Sequence, residues 1–347
     1  MSAWVNEWIG RAETLGSVRR TTVAGYRVDQ RHIDAAIGMV RLERLRSGNI
    51  EYLWATMIST GRGRSVPHCR RTLQAALNDA VQAGLIVRNP VSGAKTPRSQ
   101  PTDIEPYSIS EMVRLLDAAR NGRNGPRWTL ALALGLRQGE VLGLQWQDID
   151  LDDGVLIVRR QLQRLEWRHG CSNPSTCVYV GESGLPRPAK RGADCPLRWG
   201  GGLISGDVKS DAGRRSLGMP PTLTAELRSH RAGQAAERLS SEVWDEGPGG
   251  GWVFADAIGH PLDPRADHRA FKELCSAAQV RARRLHDLRH SAATAMLAND
   301  VDIRTAGAVL GHSQIAQTAR YSHVLADRKS VAAARIEGAL FGERNGS

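Results

Sequence analysis

No stretch of the 347 residues approaches the ~18 consecutive apolar residues that a membrane-crossing helix requires, so no membrane partner is expected. The opening MSAWVNEWIGRAE also lacks the basic-then-apolar order of a secretory signal. A cytoplasmic location, in a bacterial cell or a phage-infected host, is the expectation. Cysteine is scarce and odd in number, five in a chain without an export signal, which argues against a disulfide framework. Cys69 and Cys275 fall within apolar helical patterns and read as buried thiols. No internal repeat is visible.

What the chain lacks least is positive charge. The net charge is +11 and the isoelectric point about 10, the electrostatic footprint of a nucleic-acid binder. The surplus is uneven: residues 1–98 carry 15 Lys+Arg against 7 Asp+Glu, whereas residues 99–347 carry 32 against 29. Almost all of it is arginine, which a GC-rich coding genome would also produce, and a merely solvated basic surface is the competing reading.

The first ~95 residues read as all-helical. A stripe of Trp4, Val5, Trp8 and Ile9 is followed by helices around Thr21–Ile37, Ile50–Ile58 and Val66–Ala83. NPVSGAKTPRSQPTDIEP, with four prolines and few large apolar residues, is a linker. The expected organisation is therefore a helical domain at 1–95, a linker at 96–106 and a second domain at 107–347. In that domain SISEMVRLLDAAR opens on a serine cap, and the apolar WTLALALGL and the short QGEVLGLQW follow as helices. The period then shifts towards two: Asp148–Asp150, a turn at Asp153-Gly154 and Val155–Arg160 predict a hairpin. An irregular Gly/Pro/Cys-rich insertion occupies about 166–205. GDVKSDAGRRSLGMP predicts two more short strands around a turn, and the remainder is helical apart from an extended GWVFADAIGHPLD.

Breaking a phosphodiester requires a nucleophile and compensation for the charge that develops on a pentacoordinate phosphorus, from metals held by carboxylates or from Arg, Lys and His. The metal route is poorly supplied. DIDLDD (148–153) has the carboxylates, yet lies on a predicted hairpin, where Asp is a usual turn former. The cationic route is better stocked: HDLRH puts His286 and Arg289 on one helical face. His286 and His290 could instead be a metal pair, although the zinc-protease signature needs Glu where Asp287 stands. An amphipathic helix start with incidental histidines is the third reading of HDLRH alone.

GLRQGEVLGLQW, a hairpin lysine, HDLRHSAAT and VLGHSQIAQTARYSH occur in that order, and here the sequence closely resembles the tyrosine recombinase (phage integrase) family. The family's first arginine follows Gly-Leu and precedes a Glu three residues on, matching Arg137 and Glu140. Its hairpin lysine matches Lys209, its His-x-x-Arg box His286 and Arg289, and its Leu-Gly-His His312. Its nucleophile nine residues further on matches Tyr321 in ARYSH. A lone His-x-x-Arg is weak; the six positions Arg137, Lys209, His286, Arg289, His312 and Tyr321 in order, with Glu140 beside the first, are very specific. TVAGYRVDQRHI and RTLQAALNDAVQAGLIVRNP extend the resemblance into the first domain as the helical, SAM-like core-binding part. Many phage integrases carry a further N-terminal domain that binds arm-type sites; this sequence opens directly on the core-binding helices, and whether such a domain is naturally absent is left open.

The resemblance implies a mainly α fold with a small antiparallel β-sheet in the catalytic domain, as a two-domain C-shaped clamp on DNA. It implies a site-specific recombinase or integrase acting on a phage or mobile element. Tyr321 would attack the scissile phosphate, giving a 3′-phosphotyrosyl bond and a free 5′-hydroxyl. Arg137 and Arg289 would clamp the non-bridging oxygens, which the planar guanidinium suits. His286 would take the phenolic proton, Lys209 would protonate the leaving 5′-oxygen, His312 would hydrogen-bond the phosphate and Glu140 would orient the site. No cofactor and no catalytic metal is implied. The partners implied are double-stranded DNA and a homotetramer on two sites, packed through a helix at about Asp327–Leu340, with accessory DNA-bending or directionality factors. A type IB topoisomerase shares the catalytic logic but lacks the compact box and the core-binding domain. A non-cleaving DNA-binding relative would have lost Arg137, Arg289 or Tyr321.

The insertion holds His169, Cys171, Cys177 and Cys195-Pro196, enough soft ligands for one tetrahedral zinc. The Cys-x5-Cys spacing is wider than is usual for zinc knuckles, and a solvated insertion with incidental thiols is the alternative.

Overall fold

The computed structural model describes residues 1–97, 105–181, 184–208, 211–312, 314 and 318. Most of the expected 96–106 linker, Lys209, Tyr321 and the helix expected near Asp327–Leu340 lie outside the described residues. The chain divides into two compact units, Met1–Asp103 and Ile104–Ser347.

The tryptophan stripe near the start is what fastens the first unit. Helix α1 (Ser2–Thr14) buries Trp4, Val5, Trp8 and Ile9, and is followed by α2 (Arg20–Ile37), α3 (Ser47–Ser59) and α4 (Val66–Gln82). Both indoles are buried without an unmet donor: Trp4 Nε1 donates to the Ala76 carbonyl (2.9 Å) and Trp8 Nε1 to Asp79 Oδ2 (2.6 Å), both on α4. Asp29 is buried on α2, where Thr72 Oγ1 donates to it and His68 Nδ1 lies 2.6 Å away. Ile33, Ile50, Leu53, Trp54, Leu73 and Leu77 complete the core.

In the second unit Ser108 caps α5 (Ile109–Ala119) in a reciprocal capping box with Glu111. Helices α6 (Pro126–Ala133) and α7 (Gln138–Leu142) follow, with α8 (Pro221–Ser240), α9 (Pro264–Ala277), α10 (Asp287–Ala298) and α11 (Ile303–Leu310) after the strands. Among the described residues no helix is long and apolar enough to cross a membrane. Strands β1 (Ile149–Asp150) and β2 (Val155–Val158) form the expected hairpin, and β3 (Arg160–Leu165) continues β2 after Arg159. β4 (Val178–Val180) and β5 (Pro186–Pro188) make a small hairpin within the 166–205 segment, which sequence periodicity reads as irregular. β6 (Gly202–Asp207) pairs with β3, and β7 (Arg215–Gly218) with β2, both antiparallel. β6 and β7 therefore pair not with each other but in succession along β3 and β2. One residue, Arg159, separates the two registers on one side, whereas 208–214 intervene on the other, with Val208 N donating to the Arg159 carbonyl (3.4 Å).

Among the DIDLDD carboxylates, Asp150 Oδ1 accepts from the amides of Asp152 and Asp153 (2.9 Å each), which makes the turn. Asp148 differs from it in being buried, where it accepts from Gln145 N (3.0 Å) and pairs with Arg160.

One buried ion pair fixes the frame on which the site is built. Arg127 of α6 donates through Nε and Nη2 to the two oxygens of Asp267 on α9 (2.6 Å for Nη2), and Gln138 Nε2 at the start of α7 donates to Asp267 Oδ2 (2.7 Å). Both charges are 2% exposed. Removing one partner strands a buried cation, so Asp267→Ala should lower unfolding free energy by about 3–5 kcal/mol. The pair Arg127→Met with Asp267→Leu should recover most of it. Urea unfolding checks this, and a loss below about 1 kcal/mol for Asp267→Ala would contradict a structural role.

Candidate active site

The site grows from the turn between α6 and α7. Gly135 holds a left-handed conformation (φ +62°), and a Cβ there would sit 2.4 Å from Leu310 Cδ2, so glycine alone fits. The freed backbone turns its carbonyl to Arg289, whose Nη1 donates to it (2.8 Å), while Arg289 Nη2 donates to the Leu310 carbonyl. Arg289 is 3% exposed on α10 and so ties the α6–α7 turn to the end of α11.

Arg137 occupies the N-cap of α7 in extended conformation. Its amide donates to Glu140 Oε2 (3.0 Å) and its Nη1 to Glu140 Oε1 (2.6 Å), while Nη2 reaches the Gly311 carbonyl (3.3 Å). The Arg137 side chain is 38% exposed, whereas its partner Glu140 is buried. Gly311 ends α11 in the left-handed region (φ +65°) and hands the chain to His312, whose amide donates to the Gly307 carbonyl (2.9 Å). His312 Nδ1 shares a 2.8 Å hydrogen bond with the buried Thr318 hydroxyl. His286 is the N-cap of α10, and its ring meets that of His290 edge-on at 5.0 Å.

Arg137, Glu140, His286, Arg289 and His312 are thus brought together, while Lys209 and Tyr321 lie outside the described residues. Sequence reasoning missed Arg215. From the first position of β7 it donates through Nη2 to Glu140 Oε2 (2.9 Å), through Nε to the Val309 carbonyl (2.7 Å) and through Nη1 to the Gly213 carbonyl (3.0 Å). The only local signal was the Arg214-Arg215 pair entering a short strand, and its partner is 75 positions away. Leu310 and Gly311 stood out only as the Leu-Gly pair before His312; that their carbonyls anchor Arg289 and Arg137 was not legible.

The electrostatics follow from this cation density. Burial lowers the His286 pKa, and the Arg289 and Arg137 guanidiniums lower it further. For His312 burial and the same two arginines bring the pKa from 6.5 down to about 4. For His290 burial, with His286 beside it, also leads to about 4. At Glu140 burial acts upward, but Arg215 and Arg137 outweigh it and hold the carboxyl below its usual range. Near neutrality this is two or more fixed guanidiniums, one buried carboxylate and uncharged imidazoles, an array suited to receive a phosphodiester. His286 and His290 belong to no cluster of three or more metal-ligating groups among the described residues; the one such cluster is His169, Cys171, Cys177 and Cys195.

The Phage integrase family's profile matches residues 222–328. An integrase of Saccharopolyspora erythraea is 34% identical over 98% of this chain and 82% of its own length. The chain belongs to the phage integrase family of tyrosine recombinases. It is an enzyme of site-specific DNA breakage and rejoining. The fold agrees with that of phage integrases at much lower identity. The Tn1549 transposon integrase, solved with a circular intermediate DNA, superposes with a TM-score of 0.72 over 96% of this chain and 99% of that one, at 17% identity. Lambda integrase, solved as a tetramer bound to a Holliday junction, gives 0.57 over 90% of this chain and 77% of its own, at 18% identity. The mainly helical fold with small antiparallel sheets is that of this integrase family.

Proposed function

We propose that this integrase cuts and rejoins double-stranded DNA through Tyr321, at attachment or recombination sites of a phage or other mobile element. The observation that carries the reading is the joint anchoring of Arg137 and Arg289 to the Gly135, Leu310 and Gly311 carbonyls, with uncharged His286 and His312 beside them. Two guanidiniums held before the phosphate arrives need no reorganisation as charge develops on its non-bridging oxygens. An uncharged His286 is free to accept the phenolic proton. Lys209 protonates the leaving 5′-oxygen, and His312 hydrogen-bonds the phosphate. The phosphotyrosyl bond conserves the energy of the one it replaces, so resealing needs neither ATP nor metal. Cleavage of a nicked suicide substrate should proceed unchanged in excess chelator, and a strict requirement for magnesium would overturn the mechanism.

The two-domain C-shaped clamp, with 1–95 as core-binding domain, 96–106 as linker and 107–347 as catalytic domain, belongs to the same proposal. So do a homotetramer on two sites and accessory DNA-bending or directionality factors. The lambda integrase tetramer supports the assembly. Sedimentation of the protein with two-site DNA tests it: four chains per two sites are expected, and two would refute it.

Glu140 is a positioning residue that touches no reacting atom in this scheme. Glu140→Gln keeps the shape but weakens the hold on Arg137 and Arg215. A hydrogen bond to a charged group is worth about 1.5–3 kcal/mol, so cleavage should slow by roughly 10- to 100-fold. Gel-shift affinity should stay within about twofold; an equal fall in affinity would make Glu140 merely structural.

The histidine pKa values have a checkable sign. An imidazole whose folded pKa is below its unfolded 6.5 takes up its proton more readily in the unfolded chain, so stability is lost as pH falls from 6.5 towards 4. His286 is lowered as well, so cleavage loses its base only below the ordinary imidazole range. Because Arg137 contributes to both shifts, Arg137→Ala should raise the His286 and His312 titration midpoints, read by NMR. Midpoints already near 6.5 and indifferent to Arg137→Ala would contradict the electrostatic account.

A further inference from the structure

The 166–205 excursion has no use in the proposed chemistry and almost no core of its own. Its buried cluster consists of Cys177, Ala189 and Cys195, with Cys171 and Tyr179 packed against it, while Val178, Val180, Leu185, Leu197 and Trp199 face outward. So small an apolar set does not order a segment of this length; small modules with this deficit are held by a cross-link or a metal. Disulfides do not supply the link, since all five cysteines are free and three thiols cannot pair off.

The folding of the segment gathers four soft ligands. β3 and β6 end in a neck where Arg168 and Trp199 exchange backbone hydrogen bonds (3.1 and 3.0 Å), and Trp199 Nε1 donates to the His169 carbonyl (3.1 Å). His169 and Cys171 leave this neck. Cys177 precedes β4, and its carbonyl accepts from Ala189 N (2.7 Å) across the small hairpin; Cys195 stands on the returning chain. The ligand atoms of His169, Cys171, Cys177 and Cys195 all lie within 4.8 Å of one another. Cys171 Sγ and His169 Nδ1 are 3.7 Å apart. Metal–ligand lengths of ~2.3 Å for sulfur and ~2.0 Å for nitrogen place tetrahedral neighbours roughly 3.5–3.8 Å apart. The amides of Gly170, Leu197 and Cys171 hydrogen-bond to Cys195, the outer-shell donors that orient a thiolate ligand.

We propose that His169, Cys171, Cys177 and Cys195 bind one zinc ion, which closes the excursion onto the β3–β6 neck. Three thiolates and an imidazole in tetrahedral array select a d10 thiophilic cation over magnesium or calcium, whose ligands are oxygens. Binding displaces the thiol protons to solvent and involves no change of oxidation state. Four protein ligands fill the coordination shell, leaving no position for substrate water. The ion is structural, and distinct in place and purpose from the arginine and histidine array of the active site.

The test uses the full chain purified without added chelator. About one zinc per chain is expected by elemental analysis. Exchange for cobalt should give the intense ligand-field and thiolate charge-transfer absorption of a tetrahedral thiolate site. Cys177→Ser should cut the bound metal at least tenfold, whereas the exposed His268→Ala should leave it unchanged. If Cys177→Ser does not fold, the cobalt spectrum of the unaltered chain decides alone. Zinc removal should open 166–205 to proteolysis while leaving suicide-substrate cleavage in place, so failure of this site and failure of the tyrosine mechanism read out separately. Less than about a tenth of an equivalent of zinc together with a featureless cobalt spectrum would overturn the proposal, as would full zinc content in folded Cys177→Ser.

Discussion

Arg289→Ala is expected to slow covalent DNA cleavage by about 100- to 1000-fold, the loss typical of a preorganised donor to a developing oxyanion. The magnitude rests on its two anchors. Arg289 is buried and already holds the Gly135 and Leu310 carbonyls, so its orientation is fixed before DNA arrives. Arg289→Lys should fall nearly as far, because a single ammonium on a flexible stem cannot meet two separate carbonyls and a phosphate at once. Affinity should change far less in both variants, since many other cations contact the backbone of the duplex. The alanine variant also leaves two carbonyls unmet, so its thermal stability is measured alongside to separate loss of fold from loss of chemistry. Cleavage rates and gel-shift affinities that collapse in step would make Arg289 a binding contact only.

The larger effect belongs to Tyr321→Phe, which removes one oxygen and little else. No covalent adduct should form, while DNA affinity and the pH behaviour of His286 and His312 remain those of the unaltered chain. A phenol has an unperturbed pKa near ~10, so attack at neutral pH depends on a base to take its proton. His286, held uncharged by burial and by Arg289 and Arg137, is suited to that role. His286→Ala should therefore slow cleavage without abolishing it, most strongly near neutrality, and less so as alkali ionises the phenol directly. Residual cleavage by Tyr321→Phe above the background of buffer alone would sink the assignment.

How far the sequence could be read depended on whether each residue's partner was local. Arg137 and Glu140 are three positions apart, and His286 and Arg289 likewise, so one turn of helix displays each pair as a recognisable motif. The helices of the first unit were legible from their apolar periodicity because Trp4, Val5, Trp8 and Ile9 face one common core. Arg215 was invisible because its role is set by Glu140 and Val309, both far away in the chain. The break at Arg159 escaped for a related reason: strand period is local, but the register is decided by a partner strand some fifty residues later. Asp148 was read with its neighbours as a turn former, whereas only Asp150 makes the turn and Asp148 is spent on Gln145 and Arg160. In the insertion the four candidate ligands were visible, but their convergence was not, since it depends on the Arg168–Trp199 neck and the β4–β5 hairpin.

The most direct test of the central claim is the chemical identity of the protein–DNA link. A nicked suicide substrate carrying the recombination site is incubated with the full chain in excess chelator. The trapped adduct is digested with protease and nuclease and sequenced by mass spectrometry. The account predicts one modified peptide, with Tyr321 esterified to a 3′-phosphate, and a released strand bearing a free 5′-hydroxyl. An adduct on Tyr26, Tyr52, Tyr107 or Tyr179, a link to a 5′-phosphate, or no adduct until magnesium is added would contradict it.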